Sequence, residues 1–182
     1  MIVPRPYVFL DRDGTLVDDP GFVHRIEDYA LLPGVVSGLR ALQAAKFRLA
    51  IVSNQSGIGR GYFDHADYER FQAHLLEDLS RQGIQIDASY YCPHTPDDGC
   101  GCRKPRTELL ERACSTLAAD LERSWVIGDS SVDVALAIAA GCRSAWVPRA
   151  GQSHGEIPAP APTLQARDFE QAVARILSFP ER

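Results

Sequence analysis

The chain has 182 residues, 45% hydrophobic and 24% charged, with a formal net charge of −5. That length buries a sizeable core without disulfides, and the composition is that of an ordinary globular domain. The acidic balance gives no electrostatic reason for a nucleic-acid or anionic-membrane partner, and no apolar run approaches membrane-spanning length.

The opening MIVPRPYVFLD lacks a signal-peptide layout, so a cytoplasmic location is expected. YVFLD (7–11) reads as the first strand, followed by a helix over Val35–Lys46 and a second strand, RLAIVSN (48–54). A helix over His65–Gln82 places Tyr68, Phe71, Leu75, Leu76 and Leu79 on one stripe. Then come ASYYC (88–92) as strand, Thr107–Ala119 as helix, SWVIGD (124–129) as strand, Val132–Ala140 as helix and SAWVPR (144–149) as strand. The strands are nearly continuous in apolar residues, as parallel strands covered on both faces are. GQSHGEIPAPAPT (151–163) reads as a surface linker before a short C-terminal helix that turns Phe169, Val173, Ile176 and Leu177 inward. Strand–helix alternation predicts one α/β domain over 1–182, a Rossmann-like three-layer fold with a mostly parallel sheet. The two tryptophans, Trp125 and Trp146, fall in strand patterns and are expected in the core.

In such a fold ligands bind beyond the carboxyl ends of the strands. The first strand ends in FLDRDGTLV with Asp11 and Asp13, the second in Ser53-Asn54-Gln55-Ser56, the fourth in GDSSVD with Asp129 and Asp133. A carboxylate can attack phosphorus covalently and split one hard step into two. It then needs a divalent cation beside it, and Mg²⁺ prefers one or two carboxylates plus phosphate and water. Asp11 and Asp129 can supply those carboxylates, and Asp13 is placed as a general acid and base. Ser53 and Lys104 offer a hydroxyl and a positive charge to the phosphoryl oxygens. Asp133, in the first turn of its helix, is expected to support the site by hydrogen bonding.

DRDGTL, the serine ending the second strand, the lysine of CRKP and GDSSVD resemble, in order, the four motifs of the haloacid dehalogenase superfamily. FLDRDGTLVDDPGFVH, SNQSGIGRGYF, YYCPH and CGCRKP further resemble the D-glycero-D-manno-heptose 1,7-bisphosphate phosphatase family, up to about Val147. The resemblance implies that Asp11 is the nucleophile and a Mg²⁺ ligand. It makes Asp13 the acid/base and a ligand through its backbone carbonyl, with Asp129 completing the protein's share. Ser53 and Lys104 would stabilise the transferring phosphoryl group, and Arg103 would recognise the substrate. Asp19, Pro20, Gly21 and Phe22, with Asn54, Gln55 and Ser56, would line the pocket. The implied activity is Mg²⁺-dependent removal of the C7 phosphate of a small phosphorylated sugar, heptose 1,7-bisphosphate, on the route to lipopolysaccharide core or related glycans. One position departs from the pattern: Ser130 stands where family members carry a basic residue, which loosens the substrate assignment.

Five cysteines, an odd number, fit a reducing compartment better than a disulfide framework. Cys92, His94, Cys100 and Cys102 form C-x-H-x5-C-x-C, a closed tetrahedral set for a structural Zn²⁺. No C-x-x-C favours a redox site, and Cys114 and Cys142 are expected as core thiols. The knuckle over 92–102 ends at Arg103 and Lys104, so zinc would staple the loop that presents them. A helix and a strand fill most of the interval between successive motifs, which predicts a capless enzyme walled by the 17–30 segment and the zinc loop. His24 fits either a pocket position or a local hydrogen bond, while His65, His74 and His154 read as surface residues.

Three alternatives remain. A histidinol-phosphatase domain has similar motifs and the same five-residue gap from histidine to cysteine, although GFVHRIEDYALLPGV and SNQSGIGRG look more like the heptose enzyme. A broader sugar-phosphate or nucleic-acid-end phosphatase is the second, with the acidic charge against a polynucleotide. A zinc-stabilised binding module without catalysis is the third. No long exposed apolar helix demands a partner, so a monomer is expected.

Overall fold

The computed structural model describes residues 4–149 and 160–180. The apolar runs form β1 (Tyr7–Leu10), β2 (Arg48–Asn54), β3 (Ala88–Cys92), β4 (Trp125–Gly128) and β5 (Arg143–Trp146). The expected bounds of β1, β4 and β5 ran too far at the carboxyl end: Asp11, Asp129 and the Val147–Arg149 segment lie just past the ladder. A further strand, β6 (Leu164–Gln165), closes the sheet. Its two residues carry no readable period in the sequence.

The strands lie in the order β3-β2-β1-β4-β5-β6, and every adjacent pair is parallel. In register, Val8 pairs Leu49 on one side and Trp125 on the other. From β1 the chain winds outward through β2 and β3, then returns to β4 on the opposite side of β1. That reversal opens a crevice between the ends of β1 and β4, where this topology binds ligands.

Among the described residues six α-helices cover the sheet: α1 (Val35–Ala44), α2 (Ser56–Gly59), α3 (His65–Arg81), α4 (Glu108–Leu117), α5 (Ser131–Ala140) and α6 (Phe169–Leu177). Side chains alternate across each strand. Val8, Leu10, Leu49, Ile51, Trp125 and Ile127 therefore pack with α1, α3 and α6. Tyr7, Phe9, Ala50, Val52 and Val126 pack with α4 and α5 on the other face. The start of α3 is set by a capping box between Asp64 and Asp67, and that of α5 by one between Ser130 and Asp133.

Both tryptophans are buried as expected. Leu177 is not: it stays 41% exposed, because Phe169, Ala172, Val173 and Ile176 already complete the inward stripe of α6. Cys142 packs against the α4–α5 side of the core, half-buried, and burial pushes its thiol up to about 12. Cys114 is also only half-buried. Of the expected linker, only 160–163 falls within the described residues, and His154 lies outside them. Among the described residues no helix is long and apolar enough to cross a membrane.

Candidate active site

Asp11 sits one step beyond β1, its backbone N–H still donating to Ile127 O at 2.9 Å. The chain then folds back on itself, with Gly14 N donating to Val17 O at 2.8 Å. Gly14 has a left-handed φ of 84°, and a Cβ there would lie 2.5 Å from both Arg149 Nε and Asp129 Oδ2. Only glycine allows this turn and the close approach together. At the end of β4, Gly128 serves a similar end, since a Cβ would overlap the Asp133 carboxylate.

Lys104 reaches into the crevice from the loop after β3 and is almost wholly buried. Its ammonium donates to Asp11 Oδ1 at 2.7 Å, Asp133 Oδ1 at 2.6 Å and Val52 O at 2.9 Å. These use all three of its donors. Burial alone would lower the Lys104 pKa, but the two carboxylates outweigh it and hold it above the ordinary value. Asp133 has both oxygens engaged, the second by Ser130 Oγ at 2.6 Å and Ser130 N at 3.2 Å. It supports the site as expected, through hydrogen bonds.

The lysine is pinned from its backbone too. Asn54 Nδ2 donates to Lys104 O at 3.2 Å and Asn54 Oδ1 accepts from Lys104 N at 3.0 Å. Beside it, Gln55 Nε2 donates to Ser53 Oγ at 2.7 Å and Asp13 Oδ2 at 2.6 Å. Arg12, fully buried, fixes the other side of Asp13. Its Nε donates to Asp13 Oδ1 at 2.6 Å, and a terminal nitrogen to Asp13 Oδ2, Val23 O and Gln55 Oε1. The guanidinium lies over the rings of Tyr68 and Phe71, 5.3 and 4.8 Å from their centroids. Buried arginine is rare without such partners.

Burial pushes the Asp11 carboxyl up to about 8, opposed by Lys104 and reinforced by Asp133, Asp129 and Asp13. Burial likewise raises Asp129, against the hydrogen bond from Arg149. These are carboxylates short of positive charge. Oxygens of Asp11, Asp129 and Asp133 lie within 4.8 Å of one another, a hard donor set of the kind Mg²⁺ selects. A cationic group already rests on part of it: Arg149 Nε contacts Asp129 Oδ2, and another nitrogen donates to Asp13 O at 3.1 Å. The residues present fit a divalent cation among these carboxylates.

A cleft of about 370 Å³ surrounds these groups. Of the expected pocket residues, Asp19, Gly21, Phe22, Ser53, Asn54 and Gln55 line it, while Pro20, Ser56 and Arg103 do not. Pro20 is exposed, Ser56 begins α2, and Arg103 turns away to donate to His94 O at 3.2 Å. Phe22 exposes its ring at the mouth, edge-on to Tyr62 with centroids 4.9 Å apart. His24 takes the local reading: Nδ1 meets Phe22 O at 2.8 Å and the ring stacks on Phe63. His65 is exposed and His74 is half-buried against Tyr29.

In the knuckle, the Cys92, Cys100 and Cys102 sulfurs and a His94 ring nitrogen lie within 4.8 Å of one another. Cys92 Sγ is 3.6 Å from Cys100 Sγ and 3.2 Å from Cys102 Sγ. A tetrahedron of ~2.3 Å metal–sulfur bonds has edges of about 3.8 Å, so a slight expansion seats Zn²⁺. Burial pushes the Cys92 thiol up to about 12, a cost that metal ligation removes by stabilising the thiolate. A one-turn helix, Pro96–Asp98, bridges the short gap, closed by a capping box between Thr95 and Asp98.

The fold and the carboxylate–lysine cluster together define a hydrolase of the haloacid dehalogenase type, and the HAD-hydrolase-like family model matches residues 101–172. A Thermoplasma acidophilum protein named "Probable D-glycero-D-manno-heptose-1,7-bisphosphate 7-phosphatase" is 43% identical over 67% of this chain and 76% of its own length. The Escherichia coli K12 D-glycero-beta-D-manno-heptose-1,7-bisphosphate 7-phosphatase is 36% identical over 81% of each chain. The solved D,D-heptose 1,7-bisphosphate phosphatase of B. bronchiseptica, complexed with magnesium and phosphate, superposes with a TM-score of 0.82 at 29% identity, covering 96% of this chain and 99% of that one. The chain belongs to the D-glycero-D-manno-heptose-1,7-bisphosphate 7-phosphatase family.

Proposed function

We propose that this chain is a Mg²⁺-dependent phosphomonoesterase that removes the C7 phosphate of D-glycero-D-manno-heptose 1,7-bisphosphate. The observation that carries the reading is Asp11, buried at the strand reversal with Lys104 bonded to it and four other cleft carboxylates nearby. Mg²⁺, held by Asp11, Asp129 and the Asp13 carbonyl, would neutralise charge between the nucleophile and the phosphate.

The chain's own residues divide the work in two steps. A carboxylate oxygen of Asp11 forms a bond to phosphorus as the phosphorus–O7 bond breaks, and Asp13 gives its proton to the departing alkoxide. Asp13 then takes a proton from water, whose oxygen attacks phosphorus and restores Asp11 while inorganic phosphate leaves. Arg12 and Gln55 hold the Asp13 carboxylate for both transfers. Ser53 Oγ and the Lys104 charge face the equatorial phosphoryl oxygens. Zn²⁺ held by Cys92, His94, Cys100 and Cys102 would order the loop that ends in Lys104.

Initial rates with Mg²⁺ on both heptose 1,7-bisphosphate anomers, fructose 1,6-bisphosphate and histidinol phosphate test this, with Asp11→Asn as the blank. A preference of order 10²-fold for one heptose anomer is expected, about 2.7 kcal/mol in transition-state binding. Histidinol phosphate is the second reading, on the likeness of the five-residue His94-to-Cys100 gap alone. Highest activity on that ester would replace the first, and Mg²⁺-insensitive residual activity in Asp11→Asn would sink both.

A further inference from the structure

Among the described residues five carboxylates line the cleft, Asp11, Asp13, Asp19, Asp129 and Asp133, against two cationic side chains, Lys104 and Arg149. A sugar bisphosphate brings a second dianion into this acidic crevice. Lys104 is spent on the reacting end, with every donor engaged in the buried floor. Ser130, on the wall, is uncharged. Arg149 is different: its side chain keeps 40% exposure and its guanidinium spans the cleft, touching Asp129 and the Asp13 carbonyl inside and Asp19 Oδ2 at 3.4 Å near the rim. The two inner contacts fall on the oxygens that the proposed function gives to Mg²⁺.

We propose that Arg149 is the specificity-determining cation for the distal phosphate, and that Mg²⁺ and its guanidinium compete for Asp129. Two cations on one carboxylate oxygen and one carbonyl repel each other, so metal binding turns the guanidinium outward about its Asp19 contact. There its planar fork meets a phosphate with paired donors, which a lysine would meet only as a point charge. The proposal rests on the bisphosphate reading, and explains how a chain with serine at position 130 can still hold a second phosphate.

Two measurements on Arg149→Met and Arg149→Lys test it. The first needs no substrate: Mg²⁺ titration by calorimetry, followed in parallel by tryptophan fluorescence, because Trp146 Nε1 donates to Asp129 O at 2.9 Å. Arg149→Met should bind Mg²⁺ at least three-fold more tightly than wild type; equal or weaker binding overturns the competition. The second compares kcat/KM for heptose 1,7-bisphosphate with that for heptose 7-phosphate. The ratio should fall at least ten-fold in Arg149→Met and be partly retained in Arg149→Lys, whereas a ratio kept at the wild-type value refutes the phosphate contact. Arg149→Lys retains the charge and serves as the folded control. A wild-type chain that does not distinguish the two esters would sink the bisphosphate reading itself, and the phosphate contact with it.

Discussion

Replacing Lys104 by Met keeps the aliphatic stem and removes the charge. The ammonium bridges Asp11 and Asp133 at 2.7 and 2.6 Å, with side-chain exposures of 4%, 10% and 3% for the three residues. Removing one partner from a buried ion pair leaves the remaining charge uncompensated and costs about 3–5 kcal/mol. An exposed pair would cost at most about 1 kcal/mol. Urea denaturation without Mg²⁺ and above about pH 8, where Asp11 is ionised in the folded chain, separates these cases, because Met preserves most of the packing. The same substitution should lower kcat by about 10²–10³-fold, the loss typical of one donor to a developing oxyanion. Adding Asp11→Asn should recover part of the stability, because the unpaired carboxylate is then gone and the two effects are non-additive. A loss below about 1 kcal/mol, or strict additivity of the two substitutions, would refute the argument that this lysine neutralises a desolvated cluster.

Asp11 holds its proton in the folded chain up to about pH 8 and releases it near its ordinary value when unfolded. Without Mg²⁺, its contribution to stability should therefore fall as pH rises from about 4 to 8, by up to about 1.4 kcal/mol per pH unit. Saturating Mg²⁺ should flatten that fall, so the metal-induced gain in urea midpoint should grow with pH; a gain that shrinks would contradict the assignment. Gly14→Ala should cost at least about 1 kcal/mol for its left-handed φ and depress Mg²⁺ affinity further, since the new methyl meets Arg149 and Asp129; calorimetry reads both. Stripping zinc and then restoring Mg²⁺ should lower the thermal midpoint by about 5 °C or more, and Cys100→Ser should reproduce the loss. An unchanged midpoint would mean that the knuckle holds no structural metal.

The strands and the polar groups at their ends were legible because both leave local signals. Apolar runs of strand length stop abruptly at Asp11, Ser53 and Asp129, and strand ends meet in space whenever the strands are parallel. The contributions of Arg12 and Arg149 left no such signal. Arg12 looks like a turn residue between two aspartates, and only the packing of Tyr68 and Phe71, more than fifty positions away, shows that it is buried. Arg149 follows the last long strand in a stretch without a motif, and its reach to Asp13 depends on sheet order. Arg103 shows the converse. Its adjacency to Lys104 suggested a shared role, but the two residues sit in a turn closed by Arg106 N donating to Arg103 O at 2.9 Å, and the Arg103 side chain meets the zinc loop instead.

The reciprocal pair between the Asn54 side-chain amide and the Lys104 backbone acts as an extra rung, extending the carboxyl end of β2 onto a residue that belongs to no strand. Its consequence concerns inheritance of loop length. Because the lysine is registered to the sheet by its own backbone, residues between Cys92 and Cys102 can be inserted or lost without displacing the ammonium. The size of the knuckle can then change while the reaction centre stays in place. Knuckle length alone is accordingly a weak marker of which phosphate ester a relative consumes, and the crevice wall opposite is the better place to look.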